Sequence, residues 1–148
     1  MDTKKELNLM EQIAESNRLK FERWKEAAAG LTVGFMIDPV AGSAERIRFA
    51  WDDLPTLFET EEDNILLTEL TFPDGSTVMM LYRETPDRPV SLIGEKCSLT
   101  GTILLTGGKR GQLESLTDAE ILKIRGCLTN VYDIDDTSYQ VLYGCEYV

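Results

Sequence analysis

Histidine is missing from the sequence, and its absence excludes several kinds of chemistry. Without an imidazole the chain has no Ser-His-Asp or Cys-His catalytic arrangement and no zinc site that uses histidine. The three cysteines, Cys97, Cys127 and Cys145, lie far apart in the sequence and form no C-x-x-C pair. They do not suffice for a standard four-thiolate metal site within one chain, and structural disulfides are not expected. We therefore predict no metal ligands, no cofactor and a reducing, cytoplasmic location.

Long apolar runs are also missing. No stretch reaches the roughly 18 apolar residues that suggest a membrane helix. Lys4 and Lys5 are not followed by the apolar region of a signal peptide, so we predict no membrane partner. The apolar fraction of 43% is ordinary for a globular protein, and 148 residues suffice for one core. We predict a single domain over residues 1–148.

Basic residues are scarce. Fifteen Lys and Arg stand against 26 Asp and Glu, which gives a net charge of −11. Residues 1–30 hold six acids and six bases, whereas residues 31–63 hold eight acids and two bases. Such a surface repels phosphate backbones, so we predict no nucleic-acid partner. The acidity either keeps the protein soluble or forms a face for a basic protein partner, whose association it would steer.

The clearest structural prediction is a β-hairpin over residues 64–83. Two apolar runs, Ile65–Phe72 and Thr77–Tyr82, flank Pro73-Asp74-Gly75, which suits a three-residue loop closed by a glycine bulge. The predicted pairs are Phe72–Ser76, Leu70–Val78, Thr68–Met80 and Leu66–Tyr82. Both faces of the hairpin are largely apolar, so we expect one to meet a helix and the other more sheet or a second subunit.

The N-terminal 30 residues predict one long helix. Apolar residues recur there at alternating spacings of three and four, with one polar member: Leu7, Met10, Ala14, Asn17, Phe21, Trp24 and Ala28. The stripe fits either a coiled-coil homodimer or an amphipathic helix lying across a sheet. Its mixed side-chain sizes favour the second, although a homodimer stays open.

The rest of the chain predicts strands and one short helix. Strands are expected over residues 31–37, 45–51, 90–94, 98–106, 130–134 and 139–148. Thr117 and Glu120 form a T-x-x-E capping box that starts a short helix near residues 117–127. The predicted fold class is therefore α+β, with the long N-terminal helix (1–30) packed on a mainly antiparallel sheet (31–148).

Two candidate surfaces for a protein partner stand out. The first is an acidic run that is otherwise typical of a solvated loop: Glu59, Glu61, Glu62 and Asp63. The second is a tyrosine-rich face of the predicted last strand, formed by Tyr139, Tyr143 and Tyr147. Tyrosine suits interfaces because its ring buries area while its hydroxyl stays hydrated. The alternative for this face is packing on the protein's own core.

A glycine-rich turn is the candidate site for a small anionic, nucleotide-like ligand. It consists of Gly107, Gly108, Lys109, Arg110 and Gly111. The spacing is not that of a P-loop, and an arginine stands where a P-loop has Ser or Thr. Backbone N–H groups and two bases can still hold a phosphate, although an exposed hairpin loop explains the turn equally well. Arg46 and Arg48 are the second candidates for this ligand.

Asp133 to Thr137 matches the D-x-D-x-T loop of haloacid-dehalogenase-type phosphotransferases, in which the first Asp is the nucleophile and the second the acid–base group. In that family the motif follows the first strand of a doubly wound domain. Here the residues after Thr137 predict only one strand, so we interpret the motif as a hairpin turn. Whether the turn binds a metal stays open.

These observations favour a non-enzymatic binding protein that uses an acidic surface against a basic protein partner. Inhibitors, immunity proteins and counter-defence proteins of mobile elements work in this way. The alternative is a module that binds a small anionic ligand in a pocket at a homodimer interface. A carboxylate- or metal-dependent enzyme is the third possibility.

Overall fold

The computed structural model describes residues 31–109, 112–132 and 138–147, and most of them lie in two β-sheets. The strands are β1 (Thr32–Asp38), β2 (Ser43–Phe49), β3 (Leu66–Thr71), β4 (Thr77–Tyr82), β5 (Val90–Ile93), β6 (Ser98–Thr100), β7 (Ile103–Lys109), β8 (Gln112–Glu114), β9 (Leu128–Tyr132), β10 (Ser138–Tyr143) and β11 (Glu146–Tyr147). The helices are the single turn α1 (Leu54–Leu57) and α2 (Asp118–Gly126), with short 3-10 turns at Trp51–Asp53 and Glu62–Asn64.

The α+β fold class predicted from the sequence is wrong. The described chain is mostly β, it forms two sheets instead of one, and both of its helices are short. The helix predicted over residues 1–30 lies outside the described residues. The physical reason for the correction is that the apolar faces of the larger sheet are covered by a second sheet with α2 and by residues 51–65.

The hairpin prediction is confirmed in register and in loop type. β3 and β4 are antiparallel and pair Leu70 with Val78 and Leu66 with Tyr82. At the loop, the Phe72 N–H donates to the Ser76 carbonyl oxygen at 2.8 Å, and the Gly75 N–H donates to the Phe72 carbonyl oxygen at 2.9 Å. Gly75 has φ of 87°, the left-handed conformation that a glycine bulge requires.

The larger sheet has the strand order β11-β3-β4-β7-β1-β2, with β8 paired to the far end of β7. All of its pairings are antiparallel, including the hairpin of β1 and β2. The smaller sheet has the order β6-β5-β10-β9, in which β5 and β10 are parallel and the other pairs antiparallel. The prediction of a mainly antiparallel arrangement is thus confirmed.

Two predicted strands each prove to be two strands in different sheets. The stretch 98–106 is interrupted at Gly101, where the chain leaves the smaller sheet at β6 and enters the larger one at β7. The stretch 139–148 is interrupted at Gly144, between β10 in the smaller sheet and β11 in the larger one. Gly101 has φ of 87° and Gly144 has φ of 85°. These left-handed residues redirect the chain, because an extended strand cannot continue through such a conformation.

The capping box that predicted the short helix is present. Thr117 Oγ1 accepts a hydrogen bond from the Glu120 N–H at 3.2 Å, and Glu120 Oε1 accepts one from the Thr117 N–H at 3.0 Å. Two of the N–H groups that a helix start leaves without backbone partners are thereby satisfied. Ile121 and Ile124 of α2 are buried and join the core.

Two apolar cores lie on opposite faces of the larger sheet. The first, between the two sheets and α2, includes Phe35, Leu70, Met80, Leu92, Leu105, Ile124, Leu142 and Cys145. The second, on the other face, consists of Phe49, Trp51, Leu54, Phe58, Ile65, Met79, Leu81 and Leu104. β4 and β7 contribute to both cores, which is why Val78 to Tyr82 are all buried. The sequence predicted a helix on one face of the β3–β4 hairpin and further sheet or a second subunit on the other. In the structure the smaller sheet and α2 both cover one face, and residues 51–65 cover the other.

Among the described residues there is no helix with both the length and the apolar character needed to cross a membrane.

Candidate functional site

Residues 51–63, here called the acidic segment, form the cover of the second core. The segment runs from the 3-10 turn at Trp51 through α1 to the turn that begins at Glu62. Its apolar side chains are anchored: Trp51 is 4% exposed, Leu54 1% and Phe58 4%. The Trp51 ring packs edge-on against Phe49, with centroids 5.3 Å apart. The segment is therefore a packed part of the fold and not a loop that projects into solvent.

The acidic segment contains six acids and no base. One of these acids, Glu62, is half-buried. The other five are exposed: Asp52, Asp53, Glu59, Glu61 and Asp63. The side chains divide by chemistry, since the apolar ones turn to the sheet and the acids to solvent. Asp53 also contributes to the fold, because its Oδ2 accepts a hydrogen bond from the Ala50 N–H at 3.0 Å.

Two arginines hold the end of α1 in place. Arg83 Nη1 donates to the carbonyl oxygens of Phe58 at 3.2 Å and Glu59 at 2.9 Å. Arg88 Nη2 lies 3.4 Å from Glu59 Oε2, in an ion pair that is largely exposed. Glu59 has φ of 52° and is the one non-glycine residue with positive φ among those the structure describes. A guanidinium bonded to this turn helps to maintain a conformation that L-residues rarely adopt.

A small polar cleft and a wider groove lie beside these arginines. The cleft has a volume of about 50 Å³, is lined in part by Asp38, Glu59 and Arg83, and has room for a few water molecules. The groove has about 640 Å³ and lies between the β1–β2 loop, the connector before β5 and the start of β10. Val40 and Arg88 line both of them.

The glycine-rich stretch is mostly strand. Gly107, Gly108 and Lys109 belong to β7 and pair with β8, while Arg110 and Gly111 lie outside the described residues. A Cβ on Gly107 would lie 2.6 Å from the Ser115 carbonyl oxygen, so this glycine is needed for close packing of the chain. The ligand role of Gly107, Gly108, Lys109 and Arg110 stays a prediction, as does that of two exposed residues of β2, Arg46 and Arg48.

The three candidate tyrosines do not share one strand. Tyr139 and Tyr143 lie in β10, where Tyr139 is half-buried and Tyr143 is 60% exposed. Tyr147 lies in β11 of the other sheet; its hydroxyl donates to the Ser98 carbonyl oxygen at 3.2 Å and its ring packs near Tyr82. The predicted common face is therefore wrong for Tyr147, because Gly144 separates the two strands. The partner-binding role of the tyrosines stays a prediction.

Sequence reasoning missed a carboxylate site at Glu146. Its Oε1 accepts hydrogen bonds from the N–H groups of Glu95 and Lys96, and the Cys97 thiol donates to Oε2 at 3.0 Å. These bonds, the one from Cys97 foremost, hold the pKa of the Glu146 carboxyl below its usual value. Burial, and after it the Glu146 carboxylate, raises the pKa of the Cys97 thiol. No sequence signal predicts a contact between residues 49 positions apart.

No metal centre is assembled in the part of the chain that the structure describes. No three Asp, Glu or Cys side chains come together there in a way that would hold a metal ion. The D-x-D-x-T stretch, residues 133–137, lies outside the described residues, and only its flanking strands β9 and β10 are described, as an antiparallel pair.

Comparison with known proteins yields no match: no family model fits the chain, and no curated protein sequence and no solved structure is similar to it.

Proposed function

We propose that the protein is a non-enzymatic binding protein and that the acidic segment is the surface with which it binds a basic protein partner. One observation carries the proposal: six acids with no intervening base lie on a segment that is anchored to the core by Trp51, Leu54 and Phe58. An acidic loop needed only for solubility has no requirement for such anchoring.

The anchoring matters for affinity. A partner that binds a flexible loop must order its backbone, at a cost of about 1–2 kcal/mol for each residue fixed. In the acidic segment the backbone is already fixed by apolar packing at Leu54 and Phe58 and by the hydrogen bonds from Arg83. The backbone positions that carry the carboxylates thus keep a constant spacing, which a complementary set of Lys and Arg side chains can match.

The charge of the segment also favours rapid association. Carboxylates that are exposed together produce a negative potential that reaches roughly 8–10 Å into physiological saline. A basic partner is drawn to this potential before contact, which raises its association rate more than its final affinity. Exposed apolar residues lie nearby, with Leu66 43% exposed after the segment and Val40 57% exposed at the cleft that Glu59 also lines. They provide apolar contact area next to the charges.

A pair of charge-matched variants tests the proposal. The first neutralises the segment with Glu59→Gln, Glu61→Gln, Glu62→Gln and Asp63→Asn. The second neutralises four exposed acids elsewhere with Glu45→Gln, Glu95→Gln, Glu114→Gln and Asp118→Asn. Both change the net charge from −11 to −7, that is −11 plus four, so that only the location of the lost charge differs.

We immobilise the wild type, the segment variant and the control variant and expose all three to the same lysate. The captured proteins are identified, and the binding of each to the three immobilised proteins is then measured at increasing salt concentration. We expect a basic protein that wild type and control retain and that the segment variant binds with at least tenfold slower association. Equal binding by the two variants would reject the acidic segment as the interface.

The second candidate function is the binding of a small anionic, nucleotide-like ligand. The observation in its favour is the groove of about 640 Å³, a size typical of ligand sites, whose lining includes the cation Arg88, the acid Asp87 and Tyr139. Native mass spectrometry of the purified protein tests for extra mass of a few hundred daltons. Its loss in Arg88→Ala would place the ligand in the groove, whereas its loss in the variant with Lys109→Ala and Arg110→Ala would place it at the glycine-rich turn. A bare protein of the sequence mass would reject this function.

A further inference from the structure

Two of the three cysteines lie near each other, where the chain passes from one sheet to the other. Cys127 follows the end of α2, and Cys145 lies between β10 and β11. The backbones of the two segments are adjacent, since the Tyr143 N–H donates to the Cys127 carbonyl oxygen at 2.8 Å. The Cys127 and Cys145 side chains are close enough to interact, because the Cys127 thiol contributes to the raised pKa of Cys145. Both side chains belong to the first core, Cys145 within it and Cys127 packed against it.

The two thiols differ in access to solvent. Cys127 is half-buried, so a small oxidant in solution can reach it, whereas Cys145 is fully buried. Burial, and after it the neighbouring Cys127 thiol, raises the pKa of Cys145. Cys145 is therefore a poor first target for an oxidant, but it is placed to react with a neighbour. Cys97 is engaged elsewhere, because its thiol donates to Glu146 at 3.0 Å.

We propose that Cys127 and Cys145 form a reversible disulfide when the protein meets a low-molecular-weight disulfide such as oxidised glutathione. The Cys127 thiolate attacks one sulfur of the oxidant, the oxidant's S–S bond breaks, and one glutathione thiolate leaves and takes up a proton from water. Cys145 then loses its proton to water and attacks Cys127 Sγ in the mixed disulfide, and the second glutathione leaves. Two protein thiols are oxidised by two electrons, and the oxidant is reduced to two thiols.

The crosslink would join the end of α2 to the passage between the sheets. A disulfide stabilises a fold mainly by restricting the unfolded chain. The oxidised protein should therefore unfold at a higher temperature than the reduced protein. Because the second step requires a buried thiol of raised pKa, it should be the slower step, and a glutathione adduct on Cys127 should appear first.

The test uses the reduced 148-residue chain and oxidised glutathione. Arg125 is the last basic residue of the sequence, so trypsin leaves both cysteines in one peptide, residues 126–148. An internal disulfide appears as the loss of two hydrogens from that peptide, reversed by a reductant. Cleavage after acidic residues should then yield a Cys127 peptide bonded to a Cys145 peptide. The count of free thiols in denaturant should fall from three to one.

Three variants assign the reaction. Cys97→Ala should form the disulfide and gain the higher unfolding temperature, Cys127→Ala should do neither, and Cys145→Ala should stop at a glutathione adduct on Cys127. The proposal is overturned if three free thiols persist in the wild type, if the bond includes Cys97, if the crosslink joins two molecules, or if the adduct remains unresolved. If Cys145→Ala does not fold, the peptide map of the wild type alone shows whether Cys127 and Cys145 form the disulfide.

Discussion

Lys123 of α2 contacts Asp74 at the tip of the β3–β4 hairpin, with Nζ 3.0 Å from Oδ2 and 2.7 Å from the Ser76 hydroxyl. Asp74 Oδ1 accepts hydrogen bonds from the Ser76 hydroxyl and the Ser76 N–H. Ser76 first and Lys123 after it lower the pKa of the Asp74 carboxyl from 3.8 to about 2. A three-residue turn is thus attached to a helix residue, Lys123, that lies 49 positions after Asp74 in the chain.

The first prediction concerns acid stability. The pKa of Asp74 is depressed in the folded state, so its contribution is complete above a pH of about 4 and is lost as the pH falls toward about 2. Asp74→Asn should lower the thermal unfolding midpoint at pH 7, and the difference from wild type should shrink steadily as the pH falls from about 4 toward about 2. Scanning calorimetry from pH 7 to pH 2 measures this convergence. Asp87→Asn, at an exposed position of the connector, is the control. A difference that stays constant over the whole range would contradict the assignment.

The second prediction compares two glycines. A Cβ on Gly34 would lie 2.9 Å from Leu104 Cδ1 and 3.0 Å from the Leu105 carbonyl oxygen, so Gly34→Ala overpacks the sheet. We expect a loss of about 1–3 kcal/mol in the free energy of unfolding, measured by urea denaturation. A Cβ on Gly126 would have no heavy atom within 4 Å, so Gly126→Ala should stabilise by up to about 0.5–1 kcal/mol. Equal effects of the two substitutions would show that packing at Gly34 is not limiting.

The third prediction tests the anchoring of the acidic segment. Leu54 is 1% exposed and packs in the second core, so Leu54→Ala should cost about 2–5 kcal/mol of unfolding free energy. Leu122 on α2 is 70% exposed, and Leu122→Ala should change the free energy of unfolding by less than about 0.5 kcal/mol. Hydrogen exchange should show faster exchange of residues 54–60 in the first variant. A Leu54→Ala protein as stable as wild type would mean that the segment is not part of the cooperative fold.

The fourth prediction concerns the reactivity of Cys97. Burial and then Glu146 raise the pKa of this thiol, so Glu146→Gln should lower the pKa and increase the thiolate fraction at pH 8. We expect faster alkylation by iodoacetamide in a background where Cys127 and Cys145 are replaced by Ala, so that only one thiol reacts. The reference is the same background with Glu146 retained. An unchanged or slower rate at every pH would show that the carboxylate does not control this thiol.

Turn chemistry made parts of the fold predictable from sequence. Pro73-Asp74-Gly75 determined the hairpin loop, and the T-x-x-E box determined the start of α2, because each is a local arrangement of a few residues. The passages at Gly101 and Gly144 were not predictable. A glycine permits a left-handed conformation without requiring it, and the requirement comes from which sheet the next strand joins.

The candidate site was predictable to a similar degree. The exposure of the acidic run follows from its composition, and the structure shows five exposed acids in the segment. Its anchoring does not follow, because Trp51, Leu54 and Phe58 pack on Leu81 and Leu104, which lie at least 23 positions further along the chain. The same is true of the contact between Glu146 and Cys97. Composition predicts which residues meet water, whereas partners distant in sequence emerge only from the tertiary structure.

The strands of the two sheets alternate along the chain, and this limits where the chain can be cut into fragments that fold. The larger sheet takes β1 to β4, β7, β8 and β11, and the smaller takes β5, β6, β9 and β10, so each is assembled from separated pieces of sequence. A break in the chain after β4 or β8 would leave both fragments with strands whose neighbours belong to the other fragment. We therefore expect that complementary halves expressed together can reconstitute the structure only by associating, and that neither half is a folded unit when expressed alone.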